Sequence, residues 1–145
     1  MNLFSELRER LNLTYLFISH DLGVVEHLCN RVAVMYLGRI VETAPAEQLF
    51  SGPLHPYTQA LLDEVPRVGG AKPSGPPIRG EIPSPLAPPP GCHFHPRCPH
   101  AVARCRAEPP ELRRLSPTQF AACHLSEMNS SMRATKNTKG GEDER

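Results

Sequence analysis

Between Pro66 and Gly91, nine of 26 residues are proline and five are glycine. That stretch limits what the chain can become more than any other. Proline fixes φ and lacks a backbone N–H, so such a run carries neither a helix nor a central strand. It reads as a linker or an irregular wrapped segment, extended where the prolines crowd. Only residues 78–82, Ile-Arg-Gly-Glu-Ile, offer a short strand within it. The core-forming part of the 145 residues is thereby confined to two blocks, 1–65 and 92–125. Residues 126–145 are polar and charge-balanced, with no core-forming pattern, and read as a disordered tail.

A formal net charge of +1 gives no global reason to expect nucleic acid or an anionic membrane surface as partner. No apolar run approaches the ~20 residues of a membrane span, and Met1 is not followed by a basic stretch and a hydrophobic signal region. The expectation is a soluble, cytosolic chain. Five cysteines in that setting point to metal ligands or free thiols rather than a disulfide framework.

Within the first block, Leu3, Phe4, Leu7 and Leu11 recur at spacings of three and four, which predicts an amphipathic helix over residues 2–11 with one buried face. Leu13, Thr14, Tyr15, Leu16, Phe17 and Ile18 then form an apolar, β-branched and aromatic run. It reads as a strand buried on both faces, as in a parallel sheet. The run ends abruptly in Ser19, His20 and Asp21. Ligands of open α/β sheets collect at the carboxyl ends of strands, so His20 is a site candidate from its position alone. Asp21 fits the N-cap of a helix carrying Leu22, Val25, Leu28 and Cys29. Cys29 on that apolar stripe reads as a core thiol. Residues 32–37 and 40–42 read as strands joined at Gly38–Arg39 by a tight turn. Pro45 and Pro56 can each open a helix at its first position, the second running to Val65.

Cys92, Cys98, Cys105 and Cys123 are separated by five, six and seventeen residues. So small a segment, with few large apolar side chains, predicts a cross-link. Four thiolates converging on one metal centre would supply it. No pair has the Cys-x-x-Cys spacing of zinc ribbons, and the wider gaps suit an iron–sulfur cluster better. His93, His95, His100 and His124 beside the thiols keep a mixed zinc site open, and reduced thiols in a loop-rich tail are the plain alternative. Arg97, Arg104, Arg106, Arg113 and Arg114 read as a solvated basic face, or as a contact for a partner subunit or lipid.

These residues carry a resemblance. Thr14 to Glu42, followed by Leu49–Pro66, closely resembles the ATP-binding subunits of bacterial oligopeptide/dipeptide ABC transporters. Ile18–Ser19–His20–Asp21 looks like their switch-histidine motif, and residues 35–42 look like the strand pair after it. His55–Pro56–Tyr57–Thr58–Gln59–Ala60–Leu61–Leu62 is the stretch most specific to the peptide and nickel branch, whose extension also resembles residues 91–99. The likeness covers residues 2–125. It implies an α/β fold: the carboxyl-terminal portion of a P-loop ATPase sheet over residues 1–65, a Pro/Gly-rich linker over 66–91, and a cysteine-rich extension over 92–125. It also implies that His20 contacts the γ-phosphate of ATP bound with Mg²⁺. Some members hold a 4Fe–4S cluster on cysteines at these spacings, which favours that centre over zinc for Cys92, Cys98, Cys105 and Cys123. Implied partners are a second ATP-binding subunit and transmembrane permease subunits, with the protein peripheral on the cytoplasmic face of the membrane and no nucleic acid bound.

The sequence departs from the family where phosphate is held. No glycine is followed by lysine, so the Gly-x-x-x-x-Gly-Lys-[Ser/Thr] loop is missing. Neither a Ser-Gly-Gly signature nor an apolar run ending in Asp-Glu occurs. The family places all three upstream of its switch histidine. The expectation is the last part of an ATPase subunit, inactive by itself. The competing expectation is a small metal-binding interaction module, iron–sulfur or zinc, without ATPase activity.

Overall fold

The computed structural model describes residues 2–64, 78 and 80–126. Its architecture is mixed α/β around a small, wholly antiparallel sheet. The elements are α1 (Asn2–Leu11), α2 (Leu22–Leu28), β1 (Arg31–Tyr36), β2 (Arg39–Pro45), α3 (Ala46–Ser51) and α4 (Pro56–Asp63), then α5 (Ala103–Ala107), β3 (Arg113–Arg114) and β4 (Phe120–Ala121). Spatial strand order is β1-β2-β4-β3.

The sheet begins with the expected hairpin, its turn one residue earlier than the Gly38–Arg39 expected, because Tyr36 pairs with Arg39. Strand β1 alternates so that Val32, Val34 and Tyr36 are buried. Leu37 and Gly38 form the turn with φ of 44° and 75°, two successive left-handed residues that match the twist of the flanking strands. Strand β2 departs from simple alternation. Val34 faces Glu42 while Met35 faces Ile40, which leaves Val41 as the extra residue of a bulge. The bulge shifts the period, so the successive residues Val41 and Glu42 are both buried. A buried carboxylate thus enters the sheet at a defined point.

Helices α3 and α4 follow the proline signals with one adjustment. Pro56 occupies the first turn of α4, but Pro45 ends β2 and caps α3 rather than opening it. Helix α4 closes at Asp63, and Val65, expected on its face, lies outside the described residues with 66–77. The described residues of 78–82 form no strand, contrary to expectation. Instead the carbonyl of Gly80 accepts a hydrogen bond from Arg97 Nε at 3.2 Å.

The core gathers Val25, Val32, Val34, Tyr36, Val41, Leu49, Phe50 and Leu62 with Phe94. Phe94 is 1% exposed. Its ring lies 5.3 Å from Tyr36, edge to face, and 5.4 Å from Tyr57. Strand β4 pairs with β2, and Ala122 N–H donates to Val41 O at 2.8 Å. Residues 92–126 therefore share sheet and core with 22–63. That packing supplies burial the segment could not generate alone.

The first eighteen residues depart most from expectation. Residues 13–18 form no strand; Leu16 and Ile18 are each 91% exposed. A strand buried on both faces requires hydrogen-bonded neighbours at both edges, and among the described residues none pairs with this run. The face of α1 expected to be buried is likewise open at Phe4 and Leu11. Phe4 instead meets Tyr15 edge to face at 6.2 Å.

Candidate functional site

The His20 corner is ordered by its neighbours. Ser19 Oγ accepts from Asp21 N–H at 2.9 Å. Asp21 Oδ1 accepts from Gly23 N–H at 3.0 Å and Val24 N–H at 3.2 Å, capping α2 as expected. His20 is exposed between them, at the open end of the 13–18 run. This geometry leaves one imidazole open to solvent. Phosphoryl transfer also requires phosphate-cradling amides, a metal carboxylate and an oriented water, and the sequence carries none of those motifs. Cys29 is partly buried against the core, in keeping with its reading as a packing thiol.

A second centre escaped the sequence reading. Glu42, 0% exposed, accepts three hydrogen bonds: from Leu54 N–H (2.8 Å), His55 N–H (2.9 Å) and Gln119 Nε2 (2.8 Å). Gln119 Nε2 also donates to Gly52 O at 3.0 Å, and Ser126 Oγ donates to Leu54 O at 2.9 Å. Hairpin, α4 entrance and carboxyl-terminal segment are tied at one carboxylate. His55 caps α4 by accepting Tyr57 N–H on Nδ1 at 3.0 Å. Burial lowers its pKa to about 4 and holds the ring neutral. The available signal was Glu42 itself, an acid directly after the apolar pair Ile40–Val41 in the return strand.

The four extension cysteines are free thiols; Cys105 and Cys123 are buried, Cys92 and Cys98 half-buried. Burial pushes Cys98 up to about 11, and the thiols of Cys123, Cys92 and Cys105 add to the rise. Burial also raises Cys92, with Cys123 and then Cys105 contributing. Amide N–H groups oppose these shifts, from Phe94 and His95 at Cys92 and from His100 at Cys98. Among the described residues, no group of three or more His, Cys, Asp or Glu side chains is arranged to hold a metal ion. Two histidines considered as ligands contact carbonyls instead: His95 Nδ1 with Cys92 O at 2.9 Å and His124 Nε2 with Glu108 O at 3.0 Å. His93 Nδ1 is buried without a hydrogen-bond partner.

Comparison with known proteins finds relatives over most of this chain. The family description "Oligopeptide/dipeptide transporter, C-terminal region" matches residues 41–105, which run from the β2 bulge to Cys105. The oligopeptide transport ATP-binding protein AppF of Bacillus subtilis is 52% identical over 128 residues, 86% of this chain and 39% of that protein. The di/tripeptide transport ATP-binding protein DppF of Pseudomonas aeruginosa is 52% identical over 129 residues, 88% and 39% respectively. A probable peptide ABC transporter ATP-binding protein of Sinorhizobium fredii is 52% identical over 126 residues, 86% and 36%. The chain spans about two fifths of the length of these relatives. Over these residues it is similar to the carboxyl-terminal part of oligopeptide and dipeptide ABC transporter ATP-binding subunits.

Proposed function

We propose that this chain forms the carboxyl-terminal part of the ATP-binding subunit of a peptide ABC importer, which couples ATP hydrolysis to uptake of oligopeptides or dipeptides. The observation that carries this reading is the exposed apolar run Leu13–Ile18 leading directly into the capped His20–Asp21 corner. Six such residues are stable only between neighbouring strands, and the relatives contain a large remainder that this chain does not span. In the completed P-loop ATPase sheet, residues 13–18 take their place as a buried strand. His20 then reaches the γ-phosphate of ATP, whose phosphates and Mg²⁺ are held by the other part of the subunit. His20 supplies one positioning contact, and the reaction needs the rest.

Partners on this reading are a second ATP-binding subunit and the transmembrane permease subunits, met at the cytoplasmic face of the membrane. In keeping with a peripheral role, no helix among the described residues is long and apolar enough to cross a membrane. The isolated chain is expected to show no ATP turnover above a His20→Ala variant. Turnover lost on that substitution would overturn the reading.

The gathering of four cysteines between residues 92 and 123 motivates a second role in the same segment, as ligands of a thiolate-bound centre. Cys92, Cys98, Cys105 and Cys123 would hold it, with a 4Fe–4S cluster preferred and zinc second. Such a centre would cross-link 92–98 to 105 and 123. Iron, sulfide and zinc analysis after anaerobic purification tests it: iron with sulfide supports the cluster, stoichiometric zinc replaces it, and neither removes the centre.

A further inference from the structure

Beside the hairpin tip lies an open groove of about 630 Å³, in the size range of natural binding clefts. Met35, Ile40, Phe94, Pro110 and Leu112 line it, and Met35, Ile40 and Leu112 are 58%, 41% and 43% exposed. Arg39 lines it too, exposed and without an ion-pair or side-chain hydrogen-bond partner among the described residues. A complement to this groove sits next to it on the same chain. Residues 84–87 form a turn in which Ala87 N–H donates to Ser84 O at 3.2 Å and Leu86 N–H donates to Ser84 Oγ at 3.3 Å. Pro85 fixes φ at the second position. Leu86 at the crest is 95% exposed, and Ile82 before it is 66% exposed. Glu81 is exposed and, like Arg39, has no such partner among the described residues. Arg97 Nε on Gly80 O anchors the near end of this segment to the turn at 91–98. So stiff a turn loses little freedom on docking.

We propose that this face is an interface between two copies of the chain, each seating its Leu86 turn in the groove of the other around a two-fold axis. Leu86 stands five residues before Gly91, a groove-lining residue, and five residues span at most about 17 Å. Crest and groove are therefore neighbours on one surface, yet the crest leaves its own groove open, since Leu86 stays in solvent. A patch that carries both a knob and its hole is self-complementary, which is what closed two-fold pairing requires. Arg39 of one copy then meets Glu81 of the other, and symmetry makes the pair twice. Burial of the two leucines supplies attraction, and the two charge pairs set the register. The inference concerns residues 81–94 and 109–112 with the hairpin tip, and it stands whether or not the importer reading holds.

Sedimentation equilibrium over roughly 1–500 µM tests it, on the 145-residue chain carrying Leu16→Asp and Ile18→Asp so that the exposed Leu13–Ile18 run adds no association of its own. The expected result is a reversible monomer–dimer equilibrium with a dissociation constant of about 100 µM or tighter. Leu86→Asp should weaken it more than about a hundredfold, because two buried crests are lost per dimer. Arg39→Glu and Glu81→Lys should each weaken it at least about fivefold, and the two together should restore it to within about threefold of the parent. All three side chains are exposed, so circular dichroism should be unchanged. If Leu86→Asp does not fold, the charge reversals and their combination read the same interface. A chain that stays monomeric throughout the range would overturn the proposal. So would open-ended oligomers, a dimer that Leu86→Asp leaves intact, or charge reversals that the combined variant does not rescue.

Discussion

Glu42 Oε2 accepts the backbone N–H of His55 at 2.9 Å, and the two residues are 0% and 1% exposed. One comes from the bulged strand β2 and the other caps α4, so the bond sets how helix and hairpin meet. The same carboxylate reaches Gln119, and through it the carboxyl-terminal segment.

Replacing Glu42 with alanine leaves the N–H groups of Leu54 and His55 without their acceptor inside the fold and the Gln119 amide with Gly52 O alone. Each buried donor so orphaned is costly, and a total loss of about 3 kcal/mol is expected. Urea unfolding of Glu42→Ala against the parent measures it. Gln119→Ala removes one of the three donors and should cost less. Equal stability of Glu42→Ala and parent would contradict this account of the latch.

His55 gives the fold a defined pH dependence. Its folded pKa is lowered to about 4 from the model-peptide value of 6.5. Between those values the unfolded chain binds more protons than the folded one, so stability rises with pH across this window. The contribution is fully present above about pH 6.5 and is lost as pH falls toward 4. Its size is at most about 3 kcal/mol. His55→Asn keeps a cap acceptor for Tyr57 N–H and removes the titration. Unfolding midpoints at pH 4.5 and 7 should therefore differ less in the variant than in the parent.

Two glycines with left-handed backbone should respond very differently to alanine. At Gly91 (φ 68°) a Cβ would lie 2.5 Å from Cys105 O and 2.8 Å from the Arg106 carbonyl carbon. At Gly38 (φ 75°) nothing lies within 4 Å. Gly38→Ala meets only the backbone strain, about 1 kcal/mol, whereas Gly91→Ala adds a backbone clash and should exceed about 2 kcal/mol. Thermal unfolding of both variants decides between strain alone and strain with contact.

Local signals read from the sequence held wherever the chain supplies its own partners. The β1–β2 hairpin, the Asp21 cap and the start of α4 at Pro56 depend on neighbours a few residues away, and each forms as the spacing indicates. The Glu42–Gln119 bond joins residues 77 apart, and nothing periodic announces it. Phe94 was equally hidden, because a lone aromatic among prolines and cysteines carries no period. The Leu13–Ile18 run failed for another reason. Its composition specifies a buried strand, but burial belongs to a sheet, and the described residues offer it none. His20 was legible as a position at the end of that run, whereas the phosphate contact proposed for it needs groups that this sequence does not carry.

On the proposed function, Leu13–Ile18 becomes a sheet strand once the rest of an ATP-binding subunit is present. Leu16→Asp with Ile18→Asp tests it in two settings. In the isolated chain both side chains face water, so urea unfolding should shift by no more than about 0.5 kcal/mol. In a chimera that joins the upstream part of Bacillus subtilis AppF to this chain, both carboxylates would enter a buried strand, and ATP hydrolysis should be abolished. An active chimera that tolerates both aspartates would contradict the account.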